Sequence, residues 1–182
     1  LNHKNTTLGR EGSDYTAAIF AYALDAESVT IWKDVDGVMN ADPRRFENAV
    51  LIPKLSYNEA IELAYYGASV LHPKTIQPLK NKAIPLYVKS FLDPSKPGTV
   101  ILENASRTLN ETQCYIVKDN QSLITIASKD FSFIVEDNLE IIFNAFNTAG
   151  VQLNLMQNSA ISFMACFTAD EIKSSLLEEL LS

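Results

Sequence analysis

The 182-residue chain has 15 Lys and Arg against 22 Asp and Glu, a formal net charge of −7, with 47% hydrophobic and 20% charged residues. That composition suits a globular chain of one large or two small domains. The acidic balance argues against a nucleic-acid partner, and the longest apolar run, Ala17–Leu24, falls far short of the roughly 20 residues a membrane helix needs.

Elements read in chain order alternate between helix and strand. Ser13 and Asp14 are suitable N-caps for a helix over Tyr15–Leu24. Ser28–Val35 reads as a buried strand carrying Val29, Ile31, Trp32 and Val35, turned by Asp36-Gly37. Leu51-Ile52 is a short apolar pair before Pro53. Ser56-Tyr57-Asn58-Glu59 is a capping box opening a helix that runs to about Tyr66 and stops at Gly67. A short helix is expected over Lys74–Lys80, then strands over Pro85–Phe91 and Thr99–Leu102. Glu103–Asn110 is polar and aperiodic, a linker.

Beyond it, Cys114–Val117 and Leu123–Ala127 are strand-like. Leu139, Ile142, Phe143 and Phe146 mark an amphipathic helix ended by Gly150. Strands follow over Val151–Met156 and Ser159–Phe167. Thr168-Ala169-Asp170-Glu171 reads as a second capping box, before a helix whose apolar face is Ile172, Leu176, Leu177 and Leu180. The boundaries are therefore 1–103, a linker 104–112, and 113–182. Residues 1–112 hold 12 basic and 13 acidic residues (−1) and residues 113–182 hold 3 and 9 (−6), which sum to −7. The β-α-β-β-α order of the second part is one strand short of a ferredoxin-like βαββαβ unit, so truncation is expected.

Cys114 and Cys166 belong to no CxxC spacing and read as small apolar residues in a reducing cytosol, which makes a cytoplasmic location the expectation. His3 and His72 lack the spaced partners of a zinc site, and His72 before Pro73 reads as structural.

Three segments carry chemical signals. Thr6–Asp14 places Gly9, Arg10 and Gly12 at a helix start, where backbone N–H groups and a guanidinium can meet an anion. Asp14 can hold an ammonium group. Trp32–Arg44 leaves a strand with carboxylates at 34, 36 and 42 and cations at Lys33 and Arg44. This suits a nucleotide with its counter-ion, or equally a solvated turn with local ion pairs. Leu63–Pro73 reads as a helix end and a Pro break.

Together these segments resemble aspartokinase, of the amino acid kinase superfamily. Thr7-Leu8-Gly9-Arg10-x-Gly12-Ser13-Asp14-Tyr15 is similar to its substrate loop. Ile31-Trp32-x-Asp34-Val35-Asp36-Gly37-Val38 with Asp42-Pro43-Arg44 is similar to its nucleotide segment. Leu55-Ser56-Tyr57-x-Glu59-Ala60 and Tyr66-Gly67-Ala68-x-Val70-Leu71-His72-Pro73-x-Thr75 resemble later landmarks. The part from Gln113 resembles the ACT regulatory domain of this family.

The resemblance implies an α/β chain: the C-terminal half of a kinase α/β/α sandwich, then an α+β ferredoxin-like ACT domain. It implies ATP-dependent phosphorylation of L-aspartate to 4-phospho-L-aspartate, with Mg²⁺ on the phosphates, ahead of lysine, threonine and methionine. By position, Arg10, Gly12 and Asp14 would hold aspartate, with Ser13 beside them as a further catalytic residue. Lys33, Asp34, Met39, Arg44 and Ser69 would line the nucleotide site. Phe131, Asn154, Gln157, Asn158 and Ser159 would contact a regulatory amino acid, lysine or threonine, in a homodimer paired through ACT domains.

Glu11 and Ser69 depart from the family's usual Gly and Lys, and Asn154 and Ala160 stand where lysine-sensing members often have carboxylates. The family's Lys-Phe-Gly-Gly motif is absent from these residues, so the polypeptide alone is expected to be inactive. Two other readings stay open: a non-catalytic amino-acid-binding module with a degenerate kinase half, and a kinase of glutamate or a nucleoside monophosphate.

Overall fold

A computed structural model describes residues 12–67, 70–105, 113–130 and 132–181. The chain divides into two compact units, Leu1–Val117 and Lys118–Ser182.

The first unit contains α1 (Gly12–Ala23), β1 (Val29–Lys33), β2 (Lys54–Ser56), α2 (Tyr57–Tyr66), α3 (Pro73–Asn81), β3 (Leu86–Ser90) and β4 (Thr99–Leu102). The sheet order is β1-β3-β4-β2, with β1 parallel to β3, β3 antiparallel to β4, and β4 parallel to β2. Ile31, Leu86, Val88 and Ile101 from the sheet share one core with Ala18 and Ala21 of α1, Ala60 of α2, and Ile76 and Leu79 of α3. The buried stripe Asp14, Ala18, Ala21 follows i, i+4, i+7, and its alanines let α1 lie close to its neighbours.

The α2 capping box is present: Glu59 N–H donates to Ser56 Oγ, and Ser56 N–H donates to Glu59 Oε2. Gly67 ends the helix at φ +125°. His72 caps α3, its Nδ1 accepting from Lys74 N–H at 3.1 Å, which is a structural role.

Several expectations change. α1 begins at Gly12, so Ser13 and Asp14 lie inside its first turn rather than capping it. β1 ends at Lys33, not Val35, and Trp32 is 48% exposed because strand alternation turns Val29 and Ile31 inward instead. β2 has no counterpart among the expected strands: Lys54-Leu55-Ser56 alternates polar and apolar, but three residues are too few to set a period. Cys114–Val117 forms no strand. Its Tyr115 N–H donates to the Asn40 carbonyl, in a loop. Most of the expected linker, residues 106–112, lies outside the described residues.

The second unit contains β5 (Gln121–Ala127), α4 (Glu136–Thr148), β6 (Leu153–Asn158), β7 (Ser162–Thr168) and α5 (Glu171–Leu181). The sheet is antiparallel in the order β5-β7-β6, so the third strand inserts between the first two. This is the βαββα sequence of a split βαβ arrangement. Phe163, Ala165 and Phe167 alternate inward along β7 against Ile142, Ala145 and Phe146 of α4 and Leu177 of α5. Phe143 stands edge-on to Phe163 with centroids 5.7 Å apart.

α5 corrects two expectations. Its cap is Asp170, whose Oδ1 accepts from Lys173 N–H at 3.1 Å, because Thr168 is still held in β7. Its buried anchor is Leu177, fully inaccessible, whereas Ile172 is 83% exposed and Leu176 and Leu180 also face outward. Among the described residues no helix is long and apolar enough to cross a membrane.

Candidate functional site

Asp14 and Lys33 come from opposite chain directions. α1 carries Asp14 on the inward face of its first turn, and β1 ends with Lys33 at the C-terminal edge of a parallel strand pair. Lys33 Nζ donates to Asp14 Oδ2 at 2.6 Å, with the side chains 23% and 11% exposed. The pair fastens the start of α1 to the end of β1, the edge where open α/β sheets gather ligands. The first turn of α1 brings the positive end of the helix dipole to the same place.

From Lys33 the chain runs out in an arm and returns. Met39 bridges antiparallel to Leu51, and Asn40 N–H donates to the Val50 carbonyl. The base of the arm is set by Thr99, fully buried on β4. Its Oγ1 accepts from Val38 N–H at 2.8 Å and donates to the Ile52 carbonyl at 2.7 Å. A Cβ on Gly37, at φ +148°, would lie 2.6 Å from that hydroxyl oxygen, so glycine alone permits the approach.

At the tip, Arg44 folds back on Asp42. Nε donates to Oδ1 at 3.1 Å and Nη2 to Oδ2 at 3.0 Å. These side-chain bonds, then the Arg44 backbone N–H, hold the Asp42 carboxyl below its usual range, and the same contact raises the Arg44 guanidinium. The pair is lost as pH falls through the lowered Asp42 value. Lys96 donates to Asp36 Oδ2 at 2.7 Å, which raises its ammonium. Asp34 is exposed. The arm thus carries local ion pairs in this state, while its root carries the buried Lys33–Asp14 pair.

Of the candidate residues, Gly12, Ser13, Asp14 and Lys33 cluster where α1 meets β1. Asp34, Met39 and Arg44 extend along the arm. Arg10 and Ser69 lie outside the described residues. Asn40 and Thr99 carry contacts with no local sequence signal, since their partners include Gln113, 73 residues from Asn40, and Val38, 61 residues from Thr99.

In the second unit Asn154 sits at the irregularity between Leu153 and Leu155. Its Nδ2 donates to Gln121 Oε1 at 2.6 Å and Thr168 Oγ1 at 3.2 Å, and its Oδ1 accepts from Lys118 Nζ at 2.6 Å. Gln157 and Asn158 occupy the other end of β6, about 13 Å along the strand at about 3.3 Å per residue. Ser159 lies beyond them in the hairpin turn, where Ser162 N–H donates to its Oγ, not in the strand expected to begin there. Among the described candidate effector residues, Asn154 stands apart along β6 from Gln157, Asn158 and Ser159; Phe131 lies outside the described residues. Among the described residues no three His, Cys, Asp or Glu side chains gather as a metal site.

Comparison with known proteins places this geometry. Residues 1–90 match the model of the amino acid kinase family. Chloroplastic aspartokinase 1 of Arabidopsis thaliana is 38% identical over 157 residues, 86% of this chain and 27% of that protein. The crystal structure of E. coli aspartokinase III with lysine and aspartate (T-state) aligns at a TM-score of 0.75 and 36% identity, over 96% of this chain and 40% of that one. The same enzyme with aspartate and ADP (R-state) aligns at a TM-score of 0.71 and 34% identity, over 96% and 40%. The chain spans 27% of the length of that Arabidopsis aspartokinase and 18% of a bifunctional aspartokinase/homoserine dehydrogenase of Zea mays.

Proposed function

We propose that the chain, whose residues 1–90 match the amino acid kinase family model and which is 38% identical over 157 residues to an aspartokinase, carries aspartate- and nucleotide-binding elements of an aspartate kinase. The reaction is ATP + L-aspartate to ADP + 4-phospho-L-aspartate. An oxygen of the β-carboxylate attacks the γ-phosphorus, and the bond to the departing ADP oxygen breaks. Little covalent chemistry falls to the protein; it positions the reactants and neutralises charge. ATP enters with Mg²⁺ as the substrate complex.

The observation that carries the reading is the Lys33–Asp14 pair at 2.6 Å. Asp14 gives Oδ2 to Lys33, and its other oxygen, Oδ1, is the acceptor for the substrate ammonium. Arg10 takes a substrate carboxylate by its planar fork, and Gly12 and Ser13 supply backbone and hydroxyl donors. Lys33 sets positive charge between the aspartate pocket and the phosphates. Asp34 and Met39 flank the nucleotide, with Ser69 on the following segment. Arg44, exposed and paired to Asp42, can exchange that partner for a phosphate, because such surface pairs are weak.

The second unit is an ACT-like regulatory unit. It holds an amino acid effector, lysine or threonine, at Asn154 or at the Gln157–Ser159 end, and pairs with its equivalent in a homodimer.

Trp32 precedes Lys33 and is the chain's one tryptophan, so its fluorescence reports on this site. Titration with MgADP should give a saturable change, and Lys33→Met should weaken it about tenfold, the loss expected for one charge-assisted contact. No saturable response, or equal affinity in Lys33→Met, counts against the reading.

A further inference from the structure

The arm that leaves the sheet after Lys33 returns as a two-stranded ribbon, and side chains complete its rungs. Between Asn40 and Val50, the Asn40 N–H donates to the Val50 carbonyl at 3.0 Å, and the Val50 N–H donates to the Asn40 side-chain Oδ1 at 2.7 Å. Between Val38 and Ile52, the Ile52 N–H donates to the Val38 carbonyl at 2.9 Å. The bond in the other direction runs through a third residue. Val38 N–H donates to Thr99 Oγ1 at 2.8 Å, and that hydroxyl donates to the Ile52 carbonyl at 2.7 Å. A hydroxyl from β4 thus stands in the rung where the ribbon meets the sheet.

Thr99 suits that place. It is fully buried and lies opposite Val88 in the β3–β4 register. Its β-branched side chain is stiff at χ1, so the hydroxyl keeps one direction. Giving and accepting at once, the hydroxyl strengthens both of its bonds. Gly37 closes the other side: a Cβ there would lie 2.6 Å from Thr99 Oγ1 and 2.8 Å from Leu51 Cδ1. Lys96, in the loop leading into β4, donates to Asp36 Oδ2 at 2.7 Å and holds the root of the arm a second time.

We propose that Thr99 is a positioning residue for the nucleotide: its hydroxyl, set between Val38 and Ile52, fixes the direction in which the arm presents Met39 and Arg44. The proposal rests on the nucleotide reading of those two residues. Thr99 acts through the arm and not by touching a ligand, since it has no exposed surface. Without the hydroxyl, the Val38 N–H and the Ile52 carbonyl, both on buried residues, lose their shared partner. Their readiest remedy is to bond each other. The ribbon then closes by the width of a hydroxyl, and the residues beyond Val38 are re-aimed.

The test compares MgADP affinity, read by Trp32 fluorescence on the whole chain, across variants. Thr99→Val keeps the shape of the side chain and lacks the hydroxyl; its affinity should fall about tenfold, the scale of the hydrogen bonds lost. Thr99→Ser returns the hydroxyl and should bind within about threefold of the unaltered chain, the difference reflecting its freer χ1. Tyr57→Phe removes a different buried hydroxyl of the same core, one that donates to the Ile84 carbonyl, and should leave affinity unchanged. Equal losses in Thr99→Val and Tyr57→Phe would mark a general loosening and overturn the proposal. Unchanged affinity in Thr99→Val, or a Thr99→Ser that binds no better than Thr99→Val, overturns it as well.

Amide exchange on the unaltered chain supplies a measurement that stands whether or not Thr99→Val folds. MgADP at about ten times its Kd should slow the Val38 and Ile52 amides about tenfold, because a ligand that binds only the braced arm opposes its opening. Amides at Val38 and Ile52 that ignore bound MgADP overturn the positioning role. A saturable MgADP response that none of the variants alters refutes Thr99 alone and leaves the nucleotide reading standing. If the unaltered chain gives no saturable response, the nucleotide reading fails and the role of Thr99 falls with it.

Discussion

Replacing Asp14 by Asn and Lys33 by Met, singly and together, isolates the contact that joins α1 to β1. At 2.6 Å the gross attraction is about 6 kcal/mol at an effective dielectric constant of about 20 and about 1.6 kcal/mol in water. The side chains are 23% and 11% exposed, so the pair lies between these limits and desolvation offsets much of the larger figure. The expected coupling energy is about 2 kcal/mol, with each single variant less stable than the unaltered chain because it leaves one charge largely buried without its partner.

Urea denaturation followed by Trp32 fluorescence reads the first unit alone, since the second unit has no tryptophan. The midpoint should move while the denaturant slope stays constant. Raising the salt from about 0.1 M to about 1 M should leave most of the coupling in place, as screening acts weakly on buried pairs. A coupling below about 0.5 kcal/mol, or one erased by salt, would make this a surface pair and remove the physical link between the two segments.

Further outcomes follow from single positions. At Gly98, φ is +73° and an added Cβ would lie 2.2 Å from the Val88 carbonyl oxygen, so Gly98→Ala should cost about 3 kcal/mol or more in the Trp32 unfolding midpoint. Tyr57 is buried and its hydroxyl donates to the Ile84 carbonyl at 2.6 Å; Tyr57→Phe should cost about 1 kcal/mol near neutral pH. Burial, then the charge of Glu103, pushes the Tyr57 phenol up to about 12 from 10.0. As pH rises between those values the unfolded chain sheds a proton that the folded chain keeps, so stability falls, and Tyr57→Phe should lack that part of the slope. Leu177→Ala should cost about 2 to 4 kcal/mol, read from exchange of β7 amides. Ile172→Ala should stay within about 0.5 kcal/mol.

What the sequence made legible was local. The Ser56–Glu59 capping box, the Gly67 stop, the Thr99–Leu102 strand and the apolar stripe of α4 all rest on side chains within four residues of one another or on strict periodicity. Asp14 and Lys33 were visible as separate candidates, but their pairing depends on how α1 meets β1 across 19 residues. The failures share that cause. Trp32 is apolar and sits in a buried strand, yet alternation places it outward. Ile172 and Leu177 fit one helical face on paper, yet only packing against α4 and β7 decides which of them is covered. Cys114–Val117 is apolar enough for a strand, yet it forms none, and its Tyr115 N–H donates to Asn40 in a loop. Asn40 reaches Gln113 across 73 residues and Thr99 reaches Ile52 across 47, distances that no spacing rule covers.

The central claim is that residues at the α1–β1 junction bind aspartate beside a nucleotide. It is tested most directly by adding L-aspartate, and then L-asparagine, to the MgADP-saturated chain and following its ¹⁵N amide resonances. The account predicts that aspartate shifts the resonances of Ser13, Asp14 and Lys33, that asparagine, lacking the β-carboxylate, does so far more weakly, and that Asp14→Asn abolishes the response. An aspartate titration that leaves α1 and β1 unmoved, or an equal response to asparagine, would contradict it.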